Sequence, residues 1–313
     1  MILCVAASPS VDKLFEVDRV EVGAIHRPTE FVQVPGGKGL NVARSARALG
    51  AEVIATGFLA GHAGRWIEEA LEAEGVPSHF AWVEGETRAS LSVADLTGRG
   101  LTEFYERGWD IGSGGWEQLE GIVRGLLRSS AWMTISGNLP VGAPDDGYAR
   151  LIRLAREAGV PAALDARDEA LLLGVSAGPQ VVKVNAEEAG TLLGTKVETL
   201  EDARAAAEEL RWRVDGDGRG AIVTRGAEGA VVVTPDGAAL RARLYEQGPY
   251  PVGSGDAFLA GLVTSLDRHS TWVDALAMAL GAAAANADMP GAGRLDRSRA
   301  VALAKRAEVV TLA

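Results

Sequence analysis

Six short apolar runs recur along the chain: MILCVAA, EVIATGFL, AWMTISG, PAALDA, QVVKVN and GAIVTRG. A strand that is wet on one face alternates polar and apolar residues. Strands this uniformly apolar must be covered on both faces, as the strands of a parallel sheet are. Parallel neighbours need long crossovers, and amphipathic helices supply them. Helical patterns of that kind lie between the runs at Gly64–Glu74, Pro144–Ala158, Ala186–Leu193 and Leu200–Leu210. The alternation predicts an α/β fold, a doubly wound and mostly parallel sheet flanked by helices. The chain turns strongly helical after Gly255. At 313 residues it is long enough to bury a large core, and we expect one domain over 1–313.

Two stretches break the rhythm, about 11–34 and 87–107, with short alternating segments and no helix between them. TRASLSVADLTGRGLTEFYERG reads as a hairpin with TGRG at its turn. These insertions predict a small separate β-sheet, placed to act as a lid. RVDGDGRG reads as a surface loop.

Composition narrows the function. The net charge is −11 and basic residues are scattered, which argues against nucleic acid as a partner. The single cysteine, Cys4, excludes an internal disulfide and a multi-cysteine metal site, and its apolar surroundings suggest a buried strand residue. The four histidines, His26, His62, His79 and His269, show no metal-ligand spacing. The apolar opening is too short to span a membrane and resembles no secretory leader, so the expectation is a cytoplasmic protein with no membrane partner.

Two glycine clusters carry the chemistry. The first, PGGKGLNVARSARALG (Pro35–Gly50), feeds a helix whose start could present N–H groups to an anion or to sugar hydroxyls. It is not a Walker A loop, since glycine rather than Ser or Thr follows Lys38. The second is PVGSGDAFLAG (Pro251–Gly261), in which Gly253, Ser254 and Gly255 lead into Asp256 and an apolar helix. Alone, such an Asp is most simply a helix cap.

Together, in this order, the clusters resemble the two signatures of the PfkB (ribokinase-like) carbohydrate kinases, over essentially the whole chain. ETR, ISGNLP, VKVNAEE and VTRGAEGA fall between them in that family's order. SPSVD, GETR and LTEFYERG are similar to the branch that holds tagatose-6-phosphate kinase and 1-phosphofructokinase. The resemblance implies an ATP-dependent transfer of the γ-phosphate to a sugar hydroxyl. Gly253, Ser254 and Gly255 would then form an anion hole at a helix N-terminus, and Asp256 would take the hydroxyl proton.

The same resemblance implies the other site residues. Asp12, Gly37, Lys38 and Asn41 would grip the sugar. Arg88, and after it Arg27, would hold a phosphate already on the substrate, a task suited to the planar guanidinium fork. Asn185, Thr224, Gly226 and Gly229 would meet the nucleotide, and Asn286 would border the adenine. Glu188 would organise Mg²⁺, chiefly through water. Ser8 and Val184 depart from the family's usual Asn and Pro, and Arg225 from its usual apolar residue. Dimers that pair lid to lid are common among such proteins. The segment LDARDEA departs from the branch after Asp165, so no role falls on Arg167 or Asp168.

Other readings stay open on sequence alone. GVSAG (Gly174–Gly178) matches a serine-hydrolase elbow around Ser176, but the expected strand-then-helix context is reversed. A nicotinamide enzyme would need a G-x-G-x-x-G after the first strand, and none is there. A silent sugar-phosphate sensor on the same fold stays possible, though the intact Asp256 and Gly255 argue against it. A kinase of an unphosphorylated sugar stays open because which sugar is used is not written in the chain.

Overall fold

The computed structural model describes residues 1–97, 100–213 and 219–312. The turn residues Gly98 and Arg99, and most of the RVDGDGRG loop, lie outside the described residues.

All six apolar runs are strands of one ten-stranded sheet. They are β1 (Ile2–Ala6), β4 (Val53–Leu59), β8 (Trp132–Ser136), β9 (Ala162–Asp165), β10 (Val181–Asn185) and β11 (Gly220–Thr224). These pair in parallel in the order β11-β10-β9-β8-β1-β4, and the short β5 (Ala81–Trp82) extends the parallel edge. Three further strands run antiparallel at the far edge: β12 (Ala230–Val233), β13 (Ala239–Arg243) and β14 (Glu308–Thr311). β12 is apolar but only four residues long, and β13 and β14 mix polar with apolar residues, so the sequence reading did not mark them.

Alternate residues of β1 feed two separate cores. Ile2, Cys4 and Ala6 pack with α1 (Lys38–Ala48), α2 (Gly61–Ala73), α8 (Ser254–Asp267), α9 (Trp272–Ala287) and α10 (Arg297–Ala304). Leu3 and Val5 pack on the other face. There the cover is α3 (Gly115–Leu127), α4 (Gly147–Glu157), α5 (Asp168–Ser176), α6 (Ala186–Leu193) and α7 (Leu200–Arg213). Both faces of the sheet are therefore dry, as the apolar runs require.

The interrupted regions form a second sheet. Its strands are β2 (Ser10–Val17), β3 (Glu30–Gly36), β6 (Ala89–Asp95) and β7 (Gly100–Tyr105), ordered β3-β2-β6-β7. β2 pairs antiparallel with β3 and parallel with β6, and β6 pairs antiparallel with β7, as the hairpin reading predicts. No helix among the described residues is long and apolar enough to cross a membrane.

Candidate active site

From β1 the chain reaches β4 on one side and later β8 on the other, so the strand order reverses beside β1. In open α/β sheets such a reversal opens a crevice at the carboxyl ends of the strands. Ser8, Ser136, Asp165, Asn185 and Thr224 lie at or just beyond those ends.

The first glycine cluster builds the start of α1, and that single turn reaches four acids from four elements. The Gly37 N–H donates to Asp12 Oδ2 at 3.3 Å, while Ser10 Oγ donates to Oδ1 of the same carboxylate at 2.5 Å. Lys38 Nζ donates to Asp165 Oδ1 at 2.9 Å and to Glu188 Oε1 at 3.4 Å. Asn41 Nδ2 donates to Asp256 Oδ2 at 2.9 Å. The approach to Asp12 is close enough that a Cβ on Gly36 would stand 1.9 Å from its carboxyl carbon, so the position admits only glycine.

The second cluster builds the start of α8. Gly253 is its N-cap in the left-handed region, φ 83°, packed against Ala292, which explains the glycine. The Ser254 N–H donates to Pro251 O at 3.1 Å and the Asp256 N–H to Gly253 O at 3.0 Å, closing a tight turn with Gly255 exposed. Two of the loop's N–H groups thus hold the turn itself.

Asp256 is no exposed cap. Only 6% of it is accessible, and its side chain bonds Asn41 rather than a backbone N–H of its own helix. Burial first, and then the nearby Asp165 charge, push its carboxyl up to about 7, against the pull of Lys38, Asn41 and Lys183.

The sequence reading missed the ion cluster beneath this turn. Asp165 is fully buried between two ammonium groups, those of Lys38 and of the buried Lys183, each ion-paired to one of its oxygens. Burial pushes Asp165 up, but Lys183 and Lys38 outweigh it and hold the carboxyl below the usual range. Burial likewise acts to lower Lys38, and Asp165, Glu188 and Asp256 overcome it and raise it. Lys183 Nζ lies 3.2 Å from where a Cβ on Gly255 would stand, so its charge sits directly under the loop. One signal was available: a lysine buried inside VVKVN must have an acid partner.

On the second sheet, Asp12 is half-buried on β2. Withdrawal from solvent raises its carboxyl despite the Ser10 and Gly37 bonds and the charges of Arg88 and Arg44. Arg88 stands beside it where the main sheet meets the second sheet. Its Nε donates to Ser8 Oγ at 3.3 Å, one Nη to Ser90 Oγ at 3.0 Å and the other to Ser8 O at 3.2 Å. Burial lowers Arg88, opposed by Asp12. Arg27 is different. It lies exposed between β2 and β3, and among the described residues no hydrogen bond or ion pair joins it to the cleft.

At the other end, Asn185 and Thr224 are paired neighbours on β10 and β11. Asn185 Oδ1 accepts from the Glu188 N–H and Glu188 Oε2 from the Asn185 N–H, both at 2.8 Å, a reciprocal capping box on α6. Gly226 is exposed, whereas Gly229 is buried against the backbone of Ala242. Arg225 is taken up by Glu198 O at 2.8 Å and by Glu228. Asn286, expected to border the adenine, lies within the fold at the end of α9. It is 0% accessible, and its amide donates to Val252 O and accepts from the Gly293 N–H, each at 2.9 Å. Its task is to brace the segment that enters the glycine loop.

Ser176 is the last residue of α5 and its hydroxyl donates to Leu172 O, so no strand presents it as a nucleophile. Among the described residues no group of three or more His, Cys, Asp or Glu is placed to hold a metal.

A crevice at a strand-order reversal, a helix N-terminus beside a buried carboxylate and a small second sheet beside them form the frame of a ribokinase-like fold. The pattern of the pfkB family carbohydrate kinases matches residues 6–298. The chain is 31% identical to tagatose-6-phosphate kinase of Staphylococcus epidermidis, over 99% of each. A solved structure from Thermotoga maritima, described as a possible 1-phosphofructokinase, superposes with a TM-score of 0.88 at 25% identity, covering 100% of both chains. Phosphofructokinase-2 of Escherichia coli shares the fold, with a TM-score of 0.89 at 23% identity over 97% of this chain and 98% of its own. The chain belongs to the pfkB family of carbohydrate kinases.

Proposed function

We propose that the protein transfers the γ-phosphate of ATP to a hydroxyl of a ketohexose phosphate, in the manner of tagatose-6-phosphate kinase or 1-phosphofructokinase. The observation that carries this reading is the first turn of α1, which bonds Asp12, Asp165, Glu188 and Asp256 at once. The acceptor hydroxyl lies between Asp12 and Asp256. Asp256 takes its proton as the oxygen attacks the γ-phosphorus and the bond to the ADP oxygen breaks. Gly253, Ser254 and Gly255 line the start of α8 toward the charge that builds on the transferring phosphoryl, with Lys183 and Lys38 close beneath.

Arg88 anchors the phosphate the sugar already carries. Asn185, Thr224 and Gly226 border the nucleotide. Both Glu188 oxygens are engaged, by Lys38 and the Asn185 N–H, so the residue fits a hydrated Mg²⁺ held through water. Bound there with the nucleotide phosphates, Mg²⁺ would neutralise their charge.

The outer face of the lid supports a homodimer. Phe15 and Phe31 meet there as a tilted pair with ring centroids 5.5 Å apart, and Phe31 and Phe104 remain 55% and 60% exposed. A second copy would cover them, and Phe104→Asp should turn a dimer into a monomer in analytical ultracentrifugation.

An ADP-release assay over a panel of ketohexose phosphates and free sugars tests the function. ATP-dependent phosphorylation of a ketohexose phosphate is expected. Turnover with free sugars alone, or with none of the panel, would refute it.

A further inference from the structure

Strand β2 faces two parts of the site. Alternation turns Asp12, Leu14 and Glu16 to one side, toward the body of the protein. Asp12 lies at the proposed sugar pocket. Glu16, four residues on and about 13 Å away at strand rise, meets Tyr250 of the main domain. Tyr250 Oη donates to Glu16 Oε1 at 2.6 Å. The carboxylate acceptor raises the phenol above its ordinary value, so it stays a donor. The Tyr250 ring shares a cavity with Leu14, Val32, Val252 and Ala292, between the inner face of the lid and the body.

Tyr250 stands three residues before Gly253, and the segment it opens is gripped from the body. The Tyr250 N–H donates to Ala287 O at 3.0 Å, and Asn286 holds Val252 O. The lid grips the same segment through the Tyr250 hydroxyl. Building on the reading above, we propose that Tyr250 is a positioning residue for phosphoryl transfer. Held by Glu16, it ties the lid strand that bears Asp12 to the loop that bears Gly253–Asp256. Sugar and transferring phosphoryl are held by different halves of the molecule, and misplacement by about 1 Å can cost on the order of a hundredfold in rate. The latch fixes that spacing.

The test is a double-mutant cycle in the full chain, with Tyr250→Phe, Glu16→Ala and the pair. Each single variant should lower kcat/KM for the sugar substrate about tenfold, as a loosened spacing between the two halves predicts. The pair should be no worse than the poorer single, since both remove one contact. Glu16→Gln keeps an acceptor oxygen and should recover most of the loss. ATP affinity measured without sugar should stay near wild type, and Tm should fall by no more than a few degrees, as loss of one hydrogen bond predicts. Additive losses, or Tyr250→Phe within twofold of a fully active wild type, would overturn the latch and leave the proposed function standing. A fall in Tm with unchanged kinetics would reduce the contact to a structural one. A wild-type protein that phosphorylates no sugar would overturn both.

Discussion

Asn41 Nδ2 donates to Asp256 Oδ2 at 2.9 Å across 215 residues of chain, and this one bond joins the two glycine clusters. It leaves Asn41 Oδ1 buried and without a partner among the described residues. An orphaned amide oxygen costs about 1–3 kcal/mol, so the arrangement favours aiming Asp256 over stability. The cost is expected at a site whose geometry serves chemistry.

Asp256→Asn should lower kcat by about 10²–10⁴-fold, the usual contribution of a positioned proton acceptor. Binding of ATP and of sugar, measured separately by calorimetry, should change little because shape is kept. Near-normal turnover in this variant would remove Asp256 from the chemistry.

Arg88→Ala should raise KM for a phosphorylated sugar about tenfold or more and leave KM for ATP nearly unchanged. A charge-assisted phosphate contact is worth roughly 1.5–3 kcal/mol, and Arg88 lies on the lid side, away from Asn185 and Thr224. Equal losses for both substrates would show a general disturbance of the cleft.

What the sequence revealed follows from where each signal resides. Apolar runs mark strands because burial on both faces leaves no polar position. The two glycine clusters are legible because tight turns and helix starts are local events. The Lys38–Asp165–Lys183 cluster was not, since Lys38 and Asp165 are 127 residues apart and only the fold brings them together. Asn286 sits where expected along the chain, at the end of an Ala-rich helix, but its side chain turns inward to Val252 and Gly293. Sequence shows such a residue's presence and not the direction it faces.

Asp165→Ala should destabilise the fold by about 3–5 kcal/mol in urea unfolding, the usual cost of breaking a buried ion pair. Removing the carboxylate leaves the buried Lys183 without its ion-pair partner. A change below about 1 kcal/mol would mean that water already screens the cluster.

Asp256 also gives a pH signature with a definite sign. Its folded pKa stands at about 7, raised by burial and by Asp165, against about 3.9 for an unfolded aspartate. A raised folded pKa means that the native state binds the proton more tightly than the unfolded chain does. Its contribution to stability is therefore fully present below about pH 4 and is lost as pH rises through about 7. Asp256→Asn replaces the titrating acid with a neutral group of the same shape. The variant should match the wild type below about pH 4, exceed it by on the order of 1 kcal/mol at pH 5, and exceed it by a few kcal/mol toward pH 8. If Asp256 is the base proposed above, activity runs the other way, because a base must be ionised, and wild-type kcat should rise through about pH 7. Urea unfolding of both proteins at pH 5 and 8, beside a kcat profile, checks both signs. A stability difference independent of pH would show that Asp256 is already ionised at pH 5, and the rise in its pKa would have to be abandoned.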